Sequence, residues 1–147
     1  MTPREFHKLA LELSARDDEA SLRSATSRAY YAVFHASREF LGRLGFQLRQ
    51  SDQAHAAIYR RLTGSKDVQL RKAGDSLMQL KRLRNRADYD ISQPYSTSEA
   101  RTAVQEAALL MTRIDGFIDE KQLAEITQRI REYERDVLRE VTWQSTN

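Results

Sequence analysis

No cysteine occurs among the 147 residues, so no disulfide braces the fold, which agrees with a reducing cytoplasm. Proline and glycine are also scarce, at two and five residues, and long helices can therefore run without breakers. No stretch alternates apolar with polar β-branched residues, which argues against a sheet. No long uncharged run is present either. The opening stretch MTPREFHKLALELSAR mixes acids and bases with its apolar residues, which fits neither a signal peptide nor a membrane span, and the reading is a cytoplasmic protein without a membrane. What remains is a chain 40% hydrophobic and 31% charged, long enough for a hydrophobic core and of the length of one domain.

Charge is unevenly spread. The net charge is +3, yet residues 60 to 86 hold nine bases against two acids, and from residue 119 onward seven acids face five bases. A basic middle of this kind suggests a face for a polyanion such as RNA; a solvated arginine-rich helix is the plainer alternative.

Periodicity of three and four residues predicts an all-α antiparallel bundle of about five helices. Thr2-Pro3-Arg4-Glu5 has the form of a capping box with Pro at the first helical position and opens a helix to about Arg16. Asp17, Asp18 and Glu19 suit the start of a long second helix ending near Gly45, with Leu22, Tyr30, Val33, Phe34, Phe40, Leu41 and Leu44 as its core stripe. Ser51 or Asp52 is expected to cap a third helix ending near Gly64, and a fourth is expected from about Asp67 to Asp88. Residues 91 to 97, with Pro94, read as a loop closed by a second capping box, Ser96 with Glu99. The fifth helix should bury Ala100, Ala103, Ala107, Leu110, Ile114 and Phe117. After Gly116 the apolar phase changes to a seam of Leu123, Ile126, Ile130, Tyr133 and Val137, so a C-terminal helical extension over 119–147 is expected to turn away from the bundle of residues 1–118 within the same domain.

One stretch breaks the pattern. In KRLRNRADYD, residues 81 to 90, Arg84 falls on the face of the fourth helix that carries Ala73, Leu77 and Leu80, about 40° round from Leu80. A lone buried guanidinium costs several kcal/mol, so Arg84 needs a partner or an anionic ligand. Asp88, one turn on, can be that partner. On the second helix Ser27, Arg28, Tyr31 and His35 form a polar strip beside the core stripe; facing Arg84, the strip would make a groove fit for a phosphate, and otherwise it is a satisfied core edge.

SRAYYAVFHASREFL, residues 27 to 41, together with LRNRADYD, residues 83 to 90, resembles the HEPN domain, in particular the small stand-alone prokaryotic kind often paired with a minimal nucleotidyltransferase. The resemblance covers roughly residues 5 to 118. It implies a helical bundle, commonly a homodimer, with a metal-independent ribonuclease site formed across the dimer by an Arg, a polar residue and a His. Arg84 and Asn85 match the first two, while the His position falls on Tyr89; in a register that starts at Arg82 it falls on Ala87. Metal-free cleavage needs a group that takes a proton near neutrality, and a phenol with an ordinary pKa of about 10 is a weak substitute.

The resemblance thus implies an RNA-directed protein of a toxin-antitoxin or defence module, with a nucleotidyltransferase antitoxin as a further partner. In this reading Arg84 holds the scissile phosphate, Asn85 and Asp88 orient it, and Tyr89 donates a hydrogen bond or acts as a weak acid. Arg82 and Arg86 grip the flanking backbone, with Arg28, Tyr31 and His35 lining the groove; no metal or cofactor is called for. The alternative is a non-catalytic helical adaptor that binds RNA, a nucleotide or a nucleotidyltransferase, in which Tyr89 is the hydroxyl modified.

Overall fold

A computed structural model describes residues 1–145. The architecture is all-α, a helical bundle with a C-terminal helical extension: α1 (Pro3–Ser14), α2 (Glu19–Arg43), α3 (Ala54–Gly64), α4 (Val68–Tyr89), α5 (Thr97–Asp115) and α6 (Glu120–Tyr133), followed by a π-helical turn, Glu134–Leu138. No strand occurs among the described residues; one isolated antiparallel bridge pairs Phe46 with Trp143. No helix among them is long and apolar enough to cross a membrane.

The starts of the helices follow the side-chain chemistry. The Glu5 carboxylate accepts from the Thr2 backbone N–H, a bond that, more than any other influence, holds its pKa below the usual carboxylate range. Asp18 accepts from the Ser21 N–H, Asp67 from the Leu70 N–H and Asp119 from the Lys121 N–H. At α5 both halves of the capping box form, Ser96 N–H to Glu99 at 2.8 Å and Glu99 N–H to Ser96 Oγ at 3.1 Å. Helix α3 departs from expectation: Gln53, not Ser51 or Asp52, holds its cap position and makes no side-chain cap bond, while the Ser51 hydroxyl accepts from the Gln53 N–H.

The chain forms two compact units. The first comprises residues 1–36 and 76–111. Its core is built on small residues, Ala25, Ala29 and Ala32 on α2 and Ala100, Ala103 and Ala107 on α5, all fully buried. Such residues let helix axes approach closely. Tyr30, Val33, Leu77, Leu80 and Leu110 fill the remaining volume, each fully buried aliphatic side chain contributing about 1.5–3 kcal/mol. His7 Nε2 lies 3.1 Å from the Val104 carbonyl and ties α1 to α5.

The second unit comprises residues 37–75 and 112–145 of those described. Phe40, Leu41, Phe46, Ile58, Leu62, Leu70, Ile126 and Ile130 are its main buried side chains, and Phe40 lies against Phe117 at 5.8 Å between ring centroids. The α6 seam runs as expected through Ile126 and Ile130, but Val137 is 60% exposed. The π turn is the reason: its wider winding carries Val137 out of phase with the seam, whereas Glu134, four residues after Ile130 and at the start of the turn, keeps the α-helical spacing and enters the interior. Past this turn Arg139 adopts a left-handed conformation, and the chain runs back as a strap, with Gln47 N–H donating to the Thr142 carbonyl, Gln144 N–H to the Gly45 carbonyl and the Trp143 indole to the Leu44 carbonyl.

Two glycines are required by this arrangement. Gly45 turns the chain at φ +109°, beside the Trp143 indole. Gly64 lets the Tyr133 ring approach so closely that a Cβ there would stand 2.4 Å from a ring carbon. Gly64→Ala is expected to cost about 1–3 kcal/mol of stability in urea unfolding, the range for overpacking a filled site. A neutral effect would mean that Tyr133 swings aside freely.

Candidate functional site

Helix α4 carries the expected site residues at its end. Ala73, Leu77 and Leu80 are buried, and one turn later the Arg84 side chain points the same way, 14% exposed. Both outcomes left open by the sequence have a physical counterpart here. Arg84 Nη2 donates to the Tyr31 hydroxyl at 2.6 Å and Nη1 to Asn85 Oδ1 at 2.7 Å. Nε lies 3.1 Å from Asp88 Oδ2, an ion pair whose angle is too poor for a hydrogen bond, so Nε has no hydrogen-bond partner among the described residues. Asp88 is also held by Ser27, whose hydroxyl donates to the same carboxylate oxygen at 3.1 Å.

Aromatic rings surround the guanidinium. Its carbon lies 5.2 Å from the Tyr31 ring centroid, 5.4 Å from that of Tyr89 and 5.8 Å from that of Tyr30, within the range of cation–π attraction. Tyr89 is 72% exposed and so forms the outer wall. Tyr30 is the inner one: burial pushes its phenol well above the ordinary value, partly countered by Arg84, and keeps it a neutral donor. The strip of α2 faces this site. Arg28 lies over both Tyr31 and Phe6, and the His35 ring stacks on Phe6 at 5.8 Å, 6.3 Å from Tyr31.

Arg84, Asn85, Asp88, Tyr89, Ser27, Arg28 and Tyr31 are thus brought together, with His35 one turn behind Tyr31. The two outer arginines differ. Arg82 is exposed, with no hydrogen bond or ion pair among the described residues. Arg86 pairs with Glu99, donates to the Pro94 carbonyl at 3.1 Å and lies over the Tyr95 ring. A phosphate would have to compete with those partners. In the other unit, Arg61 does not belong to a basic surface: its side chain is 1% exposed and paired with Glu134 at 2.8 Å.

One residue that positions the site has no counterpart in the sequence reading. Arg23 is buried, and its Nη1 donates to the carbonyls of Ala87 at 2.8 Å, Asp90 at 3.2 Å and Arg86 at 3.3 Å, its Nη2 to the Gln93 carbonyl and its Nε to Glu19. It therefore satisfies carbonyls that the end of α4 leaves open and fixes the loop into α5. Tyr95 in that loop shares a 2.6 Å hydrogen bond with Thr26, and burial raises its pKa. The available signal was an arginine at 23, one turn before Ser27 on the polar strip, where Leu22 and Ala25 flank it.

Chemically, the arrangement presents a guanidinium with one hydrogen-bonding nitrogen unused, an exposed phenol and a carboxylate. Such a group can hold an oxyanion if Asn85 or Asp88 yields its place. Among the described residues no cluster of His, Asp and Glu is placed to hold a metal ion. No family model, curated protein or solved structure matches the chain. Fold and site together describe a helical-bundle protein with one arginine-centred polar site at the end of its fourth helix.

Proposed function

We propose that the protein is a HEPN-like, RNA-directed component of a toxin-antitoxin or defence module, acting in the cytoplasm, which binds RNA at the Arg84 site. The observation that supports this best is Arg84 itself: drawn inward on an apolar face, flanked by tyrosines, and paired only partly by Asp88. Arg23, by contrast, engages all three of its nitrogens, with Glu19 and with backbone carbonyls. Exposed Tyr89 and Ile91 beside it offer an apolar rim that a second copy would cover, closing the site as a homodimer. In this reading Tyr31 and Tyr89 flank the phosphate, and Arg28 and Arg82 reach the neighbouring backbone.

Cleavage is the less favoured half of the reading. A metal-free reaction must take the proton of the 2′-hydroxyl, and the one imidazole on the strip, His35, is stacked on Phe6. This favours an RNA-binding adaptor that works with a partner, a nucleotidyltransferase by the resemblance, with Tyr89 as the hydroxyl within that partner's reach.

Fluorescence anisotropy with a short single-stranded RNA tests it. Affinity should fall steeply between low and moderate salt, and Arg84→Ala should weaken it roughly tenfold or more. The accompanying stability loss should stay at about 1 kcal/mol, since the pair is partly hydrated. Asp88→Asn, which removes the competing charge, should bind RNA at least as well as the wild type. Equal affinity for wild type and Arg84→Ala would make the arginine a structural tie, and incubation of total RNA without metal shows in the same series whether cleavage accompanies binding.

A further inference from the structure

None of residues 139–145, which form the strap of the second unit, is buried. Polar contacts therefore hold it: hydrogen bonds to residues 44–47, the Trp143 ring against Arg131, and the Glu134 carboxylate. That carboxylate divides its oxygens. Oε2 accepts from Arg61 Nε at 2.8 Å and from the Thr142 hydroxyl, while Oε1 accepts from the N–H groups of Thr142 at 3.1 Å and Trp143 at 3.3 Å. On the arginine, Nη1 donates to the Ala57 carbonyl, whereas Nη2 is buried and has no hydrogen-bond partner among the described residues. An unpaired buried donor is costly, so its neighbours matter.

Nη2 and Nε share the edge of the planar guanidinium that can grip both oxygens of one carboxylate. Nε donates to Glu134, so the same plane aims Nη2 toward that carboxylate, and the oxygen that would meet it is Oε1, which the strap occupies. We propose that Glu134 is a two-position switch and the strap its latch. With the latch closed, Oε1 serves Thr142 and Trp143; with it open, the carboxylate turns until Oε1 meets Nη2 and holds Arg61 by both oxygens. Two features of the closed form favour opening. It leaves Nη2 unpaired, and it holds Arg139, a residue with a Cβ, in the left-handed region at φ 56°. The helices stay folded meanwhile, since the buried Ile58, Leu62, Ile126 and Ile130 owe nothing to the strap's side chains. Opening uncovers the Leu44 and Gly45 carbonyls and the Gln47 N–H, so the latch controls access to that short backbone edge.

Native-state amide exchange of the full chain in dilute urea tests the latch. The amides of Gln47, Trp143 and Gln144 should exchange through one shared opening, roughly a hundredfold more populated than the one that exposes the amides of Ile126 and Ile130. The strap opening should respond little to urea, whereas the helical one should grow steeply with it. Equal protection and equal urea slopes for the two groups would mean that the strap leaves only when the unit unfolds, and would overturn the proposal. The switch is read from nitrogen–carbon coupling across the hydrogen bonds between Arg61 and Glu134. In the wild type only Nε should couple to the Glu134 carboxyl carbon. In Thr142→Pro/Trp143→Ala, which removes one strap N–H, the hydroxyl and the indole, Nη2 should couple as well. Coupling through Nε alone in that variant, or none, would leave Glu134 with no second position.

Discussion

Arg61→Ala is expected to destabilise the protein by about 3–5 kcal/mol, the range for removing one partner of a buried ion pair. Both side chains are 1% exposed, so the remaining Glu134 carboxylate would stay in the interior without its countercharge. Glu134 carries more than the pair. Its two oxygens also accept from the Thr142 N–H, the Thr142 hydroxyl and the Trp143 N–H, so the same carboxylate anchors the strap. Glu134→Ala should therefore cost as much and release residues 142–144. In thermal melts each variant should fall by on the order of 10 °C. The double variant Arg61→Met/Glu134→Leu should lie well above the sum of the two losses, because the desolvation of both charges disappears together. Single losses below about 1 kcal/mol, or strict additivity, would show that water reaches the pair.

Arg23→Met should cost about 2–4 kcal/mol and, unlike the Arg61 change, should be felt at the Arg84 site. The guanidinium holds carbonyls of Arg86, Ala87, Asp90 and Gln93, which spans the last turn of α4 and the loop after it. Methionine fills a similar volume and offers no donor. Amide exchange between residues 87 and 95 should accelerate while that of α1 stays slow, and the RNA binding proposed for the site should weaken with it, because Arg84, Asp88 and Tyr89 all ride on the loosened turn. Arg23→Lys should recover only part of the loss, since an ammonium has no planar fork to reach separate carbonyls. Unchanged exchange in the loop would show that Tyr95, through Thr26, fixes it unaided.

The helices were legible because their signals are local. Ser96 and Glu99 lie three residues apart and meet as a box, and Asp67 and Asp119 cap the helices that follow them. The inward course of Arg84 was legible for the same reason, since Leu77 and Leu80 fix the face on which it falls. Arg61 and Arg23 escaped because their partners are remote in the chain, 73 residues away for Glu134 and 64 for Ala87. A periodicity argument counts such arginines as surface charge. Val137 was misplaced for a different reason: the seam presumes an unbroken α-helix, and nothing local in Glu134–Leu138 announces a π turn.

Trp143 is the only tryptophan in the chain, and Arg131 lies 3.7 Å from the centre of its ring while its indole N–H donates to Leu44. The protein consequently carries a built-in optical reporter of a single event. Indole emission registers whether the strap is seated and does not register the tyrosines around Arg84, whereas far-ultraviolet dichroism registers the six helices. Recording both on one sample separates release of the strap from loss of the helices, and any interval between the two transitions measures how much of the chain holds together after the strap has gone.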